Sequence, residues 1–177
     1  MACLYLRKNK GIWSIKKSAA FFAAIVLIVG LTAESRGQDA LKNRVLQGHS
    51  GSVMWMAFSP DDNTLASSSR DKTVQIWDLA TDQVKRTLAH HTADVYAVEF
   101  SKDGKTLITG SADKTICVWD AESGELKRTL NGHEGVIRTV VYSPDEKMLA
   151  SGGADNTVRL WDAATGTLLK TLEGHTG

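Results

Sequence analysis

From Val53 onward, apolar residues return at every second position in short runs, and each run ends in small or polar turn formers. Val53-Met54-Trp55-Met56-Ala57-Phe58 is followed by Ser59-Pro60-Asp61-Asp62, then Leu65-Ala66-Ser67, Arg70-Asp71-Lys72 and Val74-Gln75-Ile76-Trp77. A further turn at Ala80-Thr81-Asp82 leads to Val84-Lys85-Arg86-Thr87-Leu88. A period of two places alternate side chains on opposite faces of a strand, and the intervening residues are those that reverse a chain. The pattern predicts four short strands in an antiparallel meander. It predicts the same over residues 95–101, 106–111, 115–120 and 125–130, and again over 137–143, 148–152, 157–162 and 167–172.

These three segments are one unit repeated. His49, His91, His133 and His175 stand 42 residues apart. Trp77-Asp78, Trp119-Asp120 and Trp161-Asp162 keep that step, as do Asp71, Asp113 and Asp155. A fixed period without slippage marks a repeat architecture. One four-stranded sheet of this size has two apolar faces, so it must stack on copies of itself, and radial stacking suits twisted four-stranded sheets.

Gly48-His49, Gly132-His133 and Gly174-His175, with the Trp-Asp pairs about 29 residues after the first two, resemble the signature of WD40-repeat proteins. Phe58-Ser59-Pro60-Asp61, Leu65-Ala66-Ser67 and Asp71-Lys72-Thr73-Val74 strengthen the likeness, which covers about residues 42–177. Departures are His90 for Gly, Lys102 for Pro, and Asp82 where Gly124 and Gly166 stand in the other repeats. The resemblance implies an all-β propeller of four-stranded antiparallel blades. Repeats are expected at about 46–87, 88–129 and 130–171, with a fourth beginning at 172–177. Propellers use ~4–8 blades, so three blades are expected to form an open arc, part of a longer ring of about seven. The alternative is that three-blade chains close a ring by self-association. Arg44-Val45-Leu46 aligns with the fourth strand of each unit and is expected to complete the last blade of such a ring.

His49, Ser67 and Asp71 are the residue types of a catalytic triad. The set recurs as His91, Thr109, Asp113 and as His133, Ser151, Asp155, and an enzyme needs one such site, not a periodic series. In the resembled family these groups and the third-strand Trp form a buried hydrogen-bond chain. That implies Trp77 to Ser67 to His49 to Asp71, with Trp119 and Trp161 heading the other two. Residues 67, 109 and 151 are all hydroxylic, whereas the alternative positions Ser69 and Ser111 align with Gly153. No catalysis, metal or cofactor is expected.

The resemblance further implies that one end of the propeller is lined by three positions per blade. These are Ser52, Met54 and Arg70; Asp94, Tyr96 and Ala112; Val136, Arg138 and Ala154. Met, Tyr and Arg are types enriched at interface cores, so this end is the expected surface for a protein or peptide partner. Cys117 aligns with Gln75 and Arg159 and is expected to face outward from its strand.

Composition adds an uneven charge. Residues 1–37 hold six of the 21 basic and one of the 20 acidic residues, leaving 15 basic and 19 acidic beyond them, a net of −4. No nucleic-acid partner is expected of such a balance. The basic start, the uncharged run 18–33 and the small-polar exit at 34–40 read as a signal peptide over 1–37, cut after Ser35 or Gly37. The alternative is an uncleaved anchor, although 16 residues fall just short of the ~17–25 that span a bilayer. Two cysteines, Cys3 and Cys117, cannot supply a disulfide framework. The expected function is a non-catalytic interaction scaffold, exported or attached to the cell envelope. The alternative is the N-terminal propeller portion of a larger enzyme or sensor.

Overall fold

The computed structural model describes residues 5–9, 12–16, 25–27 and 44–176. The chain divides into two compact units, Met1–Gly48 and His49–Gly177.

The first unit contains β1 (Tyr5–Asn9) and β2 (Ile12–Lys16), an antiparallel pair, and β3 (Ile25–Leu27) paired antiparallel with β4 (Arg44–Leu46). Arg44–Leu46 was expected to serve as a blade's outer strand. Here it pairs Ile25 with Leu46 and Leu27 with Arg44 instead. An edge strand offers a row of unpaired N–H and C=O groups, and any apolar segment of suitable direction can take them. The proposed signal segment includes β1, β2 and β3; the rest of it lies outside the described residues.

The second unit is three four-stranded antiparallel sheets, each in meander order. The first holds β5 (Val53–Phe58), β6 (Thr64–Ser69), β7 (Val74–Asp78) and β8 (Gln83–Leu88). The second holds β9 (Val95–Phe100), β10 (Thr106–Ser111), β11 (Ile116–Asp120) and β12 (Leu126–Leu130). The third holds β13 (Ile137–Tyr142), β14 (Met148–Gly153), β15 (Val158–Asp162) and β16 (Leu168–Leu172). The three blades form an open arc. Side-chain oxygens close the turns between first and second strands. Ser59 Oγ donates to Asp61 at 2.5 Å, and the same bond joins Ser101 to Asp103 and Ser143 to Asp145, each at 2.6 Å. Asp82, standing where its counterparts are Gly124 and Gly166, adopts the same left-handed backbone, with φ 61° against 79° and 77°.

The core lies between the sheets. Ala66, Val74, Ile76 and Leu88 of the first sheet meet Val95, Val98, Phe100, Leu107 and Trp119 of the second. Ala97, Ile108, Ile116, Val118 and Leu130 of the second meet Ile137, Val140, Leu149 and Trp161 of the third. Each sheet thus presents an aliphatic face forward and a Trp face backward, which is why one repeat cannot fold by itself.

Two departures from the repeat acquire meaning in this packing. Lys102, where the other repeats have Pro60 and Pro144, keeps a backbone N–H that Pro lacks. That N–H donates to the Glu146 carboxylate and the ammonium to the Pro144 carbonyl, clamping the second blade to the third. His90, where the third repeat has Gly132 at φ 153°, sets its ring edge-on to Trp119 with centroids 6.3 Å apart.

Cys117 does not face outward. It is fully buried, with Sγ 4.0 Å from His91 Nδ1 and 3.9 Å from Thr129 Oγ1. The reason is the strand period: Cys117 precedes Trp119 by two, so both occupy the buried face. Burial pushes its thiol up to about 11, which keeps it protonated and unreactive near neutral pH.

Candidate functional site

Each blade contains the same polar chain. Trp77 Nε1–H donates to Ser67 Oγ at 2.8 Å, Ser67 Oγ lies 2.8 Å from His49 Nε2, and His49 Nδ1 lies 2.7 Å from Asp71 Oδ2. In the second blade Trp119 reaches Thr109 at 2.9 Å, Thr109 meets His91 at 2.7 Å, and His91 meets Asp113 at 2.8 Å. In the third, Trp161, Ser151, His133 and Asp155 are joined at 2.8, 2.7 and 2.7 Å. A carboxylate only accepts, so Nδ1 carries the imidazole proton and Nε2 accepts from the hydroxyl. The hydroxyl thus donates to His and accepts from Trp, and Ser67, Thr109 and Ser151 are at most 1% exposed, so these oxygens face other protein groups and not solvent. The chain joins the segment before the first strand to the second and third strands, and it satisfies every buried polar group it contains.

Sequence reasoning missed one member. Thr73 Oγ1 donates to Asp71 Oδ1 at 2.6 Å, and Thr115 and Thr157 do the same to Asp113 and Asp155 at 2.7 and 2.9 Å. Its signal was available: a Thr stands two residues after each of these Asp residues. Burial pushes the Asp71 carboxyl up, but the bonds from Thr73 and His49 outweigh it and hold it at about 2. Asp113 and Asp155 are lowered by similar bonds against the same burial. Burial lowers His91 despite the opposing Asp113 charge, and His90 adds to the lowering.

The nine positions expected to line one end fall into three matching sets. Arg70 N–H donates to the Ser52 carbonyl at 3.0 Å, Ala112 N–H to Asp94 at 2.8 Å, and Ala154 N–H to Val136 at 2.8 Å. Two of the three positions in each blade are therefore pinned to each other through the backbone. The third is a β-bulge. Val53 pairs with Ser69 and Trp55 with Ser68, so Met54 is the extra residue between them. Tyr96 and Arg138 are the extra residues of the equivalent bulges, between Val95 and Ala97 and between Ile137 and Thr139. A bulge re-aims a side chain and sharpens local twist. Sequence spacing does not announce it, since a strand with one extra residue reads like any other.

Side chains then link the blades. Arg70 Nε of the first lies 3.6 Å from Asp94 Oδ2 of the second. Tyr96 Oη donates to the same carboxylate at 3.5 Å. Arg138 of the third places its guanidinium carbon 4.5 Å from the centre of the Tyr96 ring. Met54, Ser52, Ala112 and Val136 are half-buried beside them, and Ala154 is exposed.

The model of the WD domain, G-beta repeat, matches residues 41–78, 82–120 and 124–162. The chain belongs to the WD40-repeat family. The RRP9 WD40 repeats share the fold, with a TM-score of 0.72 and 28% identity over 75% of this chain and 42% of that one. Protein pleiotropic regulator PRL2 of Arabidopsis thaliana is 49% identical over 45 residues, 25% of this chain and 9% of that protein. Probable cytosolic iron-sulfur protein assembly protein 1 of Sclerotinia sclerotiorum is 42% identical over 50 residues, 28% of this chain and 11% of that protein. The chain thus spans only a small part of the curated relatives it matches. WD40-repeat proteins act as protein-interaction scaffolds.

These relatives correct the expectation of export or envelope attachment. They are named for work inside the cell: cytosolic iron–sulfur protein assembly, pre-mRNA splicing and a coatomer subunit. The physical reason lies in the apolar run on which that expectation rested. A short apolar run does not distinguish a signal core from a buried strand, and Ile25–Leu27 within it is a strand. Among the described residues no helix is long and apolar enough to cross a membrane.

Proposed function

We propose that this chain is a non-catalytic protein-interaction scaffold of the WD40-repeat family. Its partner is a protein or peptide received at the end lined by Ser52, Met54, Arg70, Asp94, Tyr96, Ala112, Val136, Arg138 and Ala154. The observation that carries this reading is the cross-blade chain Arg70–Asp94–Tyr96–Arg138, whose two inner members are half-buried and whose two arginines are exposed. The bulges turn residues of interface-favoured type out of the ladder at equivalent places in successive blades. The serine and threonine hydroxyls that resemble nucleophiles are buried and recur identically in all three blades, which supports a structural role for them.

The test is affinity capture with the full chain and with Tyr96→Ala, followed by re-binding of the recovered partner to both. Loss of binding on Tyr96→Ala with an unchanged thermal melt is the expected result. A partner retained equally by the variant overturns the assignment of this end.

A further inference from the structure

We propose that the end carrying Tyr96 and Arg138 recognises an acidic peptide segment, with the Arg138 guanidinium as the carboxylate anchor and Asp94 as an internal competitor for Arg70. The proposal rests on the reading of this end as the partner surface and names the chemistry of the partner.

The arrangement of Arg138 comes first. Its guanidinium lies over the Tyr96 ring at 4.5 Å, and its residue is exposed. Among the described residues no carboxylate stands within ion-pair distance of it. A guanidinium laid on a ring spends its π-face and leaves its N–H donors directed outward in one plane. That plane is the geometry a carboxylate accepts in bidentate fashion. Both partners of the stack are bulge residues, so the backbone fixes where the plane sits.

Arg70 differs. It is exposed too, but Asp94 already faces it at 3.6 Å. An acidic ligand at Arg70 must displace or share that carboxylate, so Asp94 lowers affinity for acidic partners and raises selectivity against weakly charged ones.

The surroundings agree in sign. Lys72 and Lys114 stand exposed in the turns after the second strands. The neighbouring carboxylates Asp71 and Asp113 are turned inward, each bound by a His and a Thr. Glu134, exposed in the loop before the third blade's first strand, and Asp94 are the acidic groups here. Arg70, Arg138, Lys72 and Lys114 therefore leave this end net basic on a stretch of chain whose net charge beyond residue 37 is −4. The same net charge repels an extended polyanion such as RNA, whose affinity depends on many basic contacts. A short acidic segment needs only one or two.

The experiment uses the full chain and a fluorescein-labelled peptide of alternating Glu and Gly, with its Gln-for-Glu counterpart, a phosphoserine version and single-stranded RNA of equal length. Fluorescence anisotropy should show the Glu peptide bound, the Gln peptide roughly tenfold weaker or more, and binding that falls as ionic strength rises. Arg138→Gln should cost roughly tenfold, and Arg138→Lys most of that, since an ammonium lacks the planar fork. Asp94→Asn should tighten the Glu peptide several-fold, which a merely structural role for Asp94 does not produce. Circular dichroism melts keep loss of fold apart from loss of binding. Equal binding of Glu and Gln peptides, preference for the phosphoserine peptide or for RNA, or weakening by Asp94→Asn each overturns the carboxylate assignment. If the Gln peptide binds as well and Arg138→Gln weakens both, the surface stands and the acidic chemistry fails. If Arg138→Gln and Tyr96→Ala change no binding at all, the surface itself fails.

Discussion

The forward faces of the second and third blades are built alike and meet different surroundings. In the second blade Ile108 and Ile116 are 0% exposed, Val118 6% and Leu130 3%, because the third blade covers them. In the third blade the equivalent residues are Ala150, Val158, Leu160 and Leu172; the first three are half-buried and Leu172 is 39% exposed. Val141 on the same face is 43% exposed. Strand pairing is intact in both sheets. Local pattern alone produces the strands and their apolar faces, whereas a neighbour's contact converts such a face into core.

The largest effect that would break this comparison concerns the matched leucines. Leu130→Ala should destabilise the second unit by ~2–4 kcal/mol through lost burial and a residual cavity, and Leu172→Ala by less than about 1 kcal/mol. Chemical denaturation of both variants measures the difference, and equal losses would show that the third blade's forward face is covered in solution. Next, Trp119→Phe should cost ~1–3 kcal/mol, because the buried Thr109 hydroxyl loses its donor while the ring's apolar contact is mostly kept. An unchanged unfolding midpoint would remove the polar chain from the account of stability.

Smaller still is the inter-blade clamp. A double-mutant cycle on Lys102→Pro and Glu146→Ala should return a coupling of about 0.5–1 kcal/mol, since proline removes the N–H that Glu146 accepts. Additive losses would show that the Lys102–Glu146 bond adds nothing to the joining of the second and third blades. The gentlest probe is acid. His91 is held below its ordinary value, chiefly by burial, so the unfolded chain binds its proton first and stability falls as pH drops below about 6.5. A second loss belongs to the lowered carboxylates: stability present above about pH 4 disappears as pH falls toward the Asp71 value of about 2. Amide hydrogen exchange at pH 6 and pH 5 should show the second blade loosening before the carboxylates titrate.

Most of the blade architecture could be read from residues. A step of 42 located three meanders, and the hydroxylic column at Ser67, Thr109 and Ser151 pointed to the polar chain that the structure shows there. Cys117 was misread because alignment with Gln75 and Arg159 suggested a solvent position, although its spacing from Trp119 already placed it on the inner face. The bulges at Met54, Tyr96 and Arg138 could not be read at all. They are mismatches between two strands, and neither strand carries the count of the other.

By itself, then, the order of residues determined strands, turns, repeat length and the forward and backward character of each sheet, because these follow from alternation and turn chemistry within a few residues. Tertiary structure decided the rest. It set which apolar faces became core, gave Lys102 a carboxylate and a carbonyl in the next blade, and turned Arg44–Leu46 toward Ile25–Leu27. It also carried Arg138 across a blade boundary onto Tyr96, 42 residues earlier in the chain. Each of these joins groups far apart in sequence, and such a contact exists only where packing brings both partners within reach of a short-ranged force.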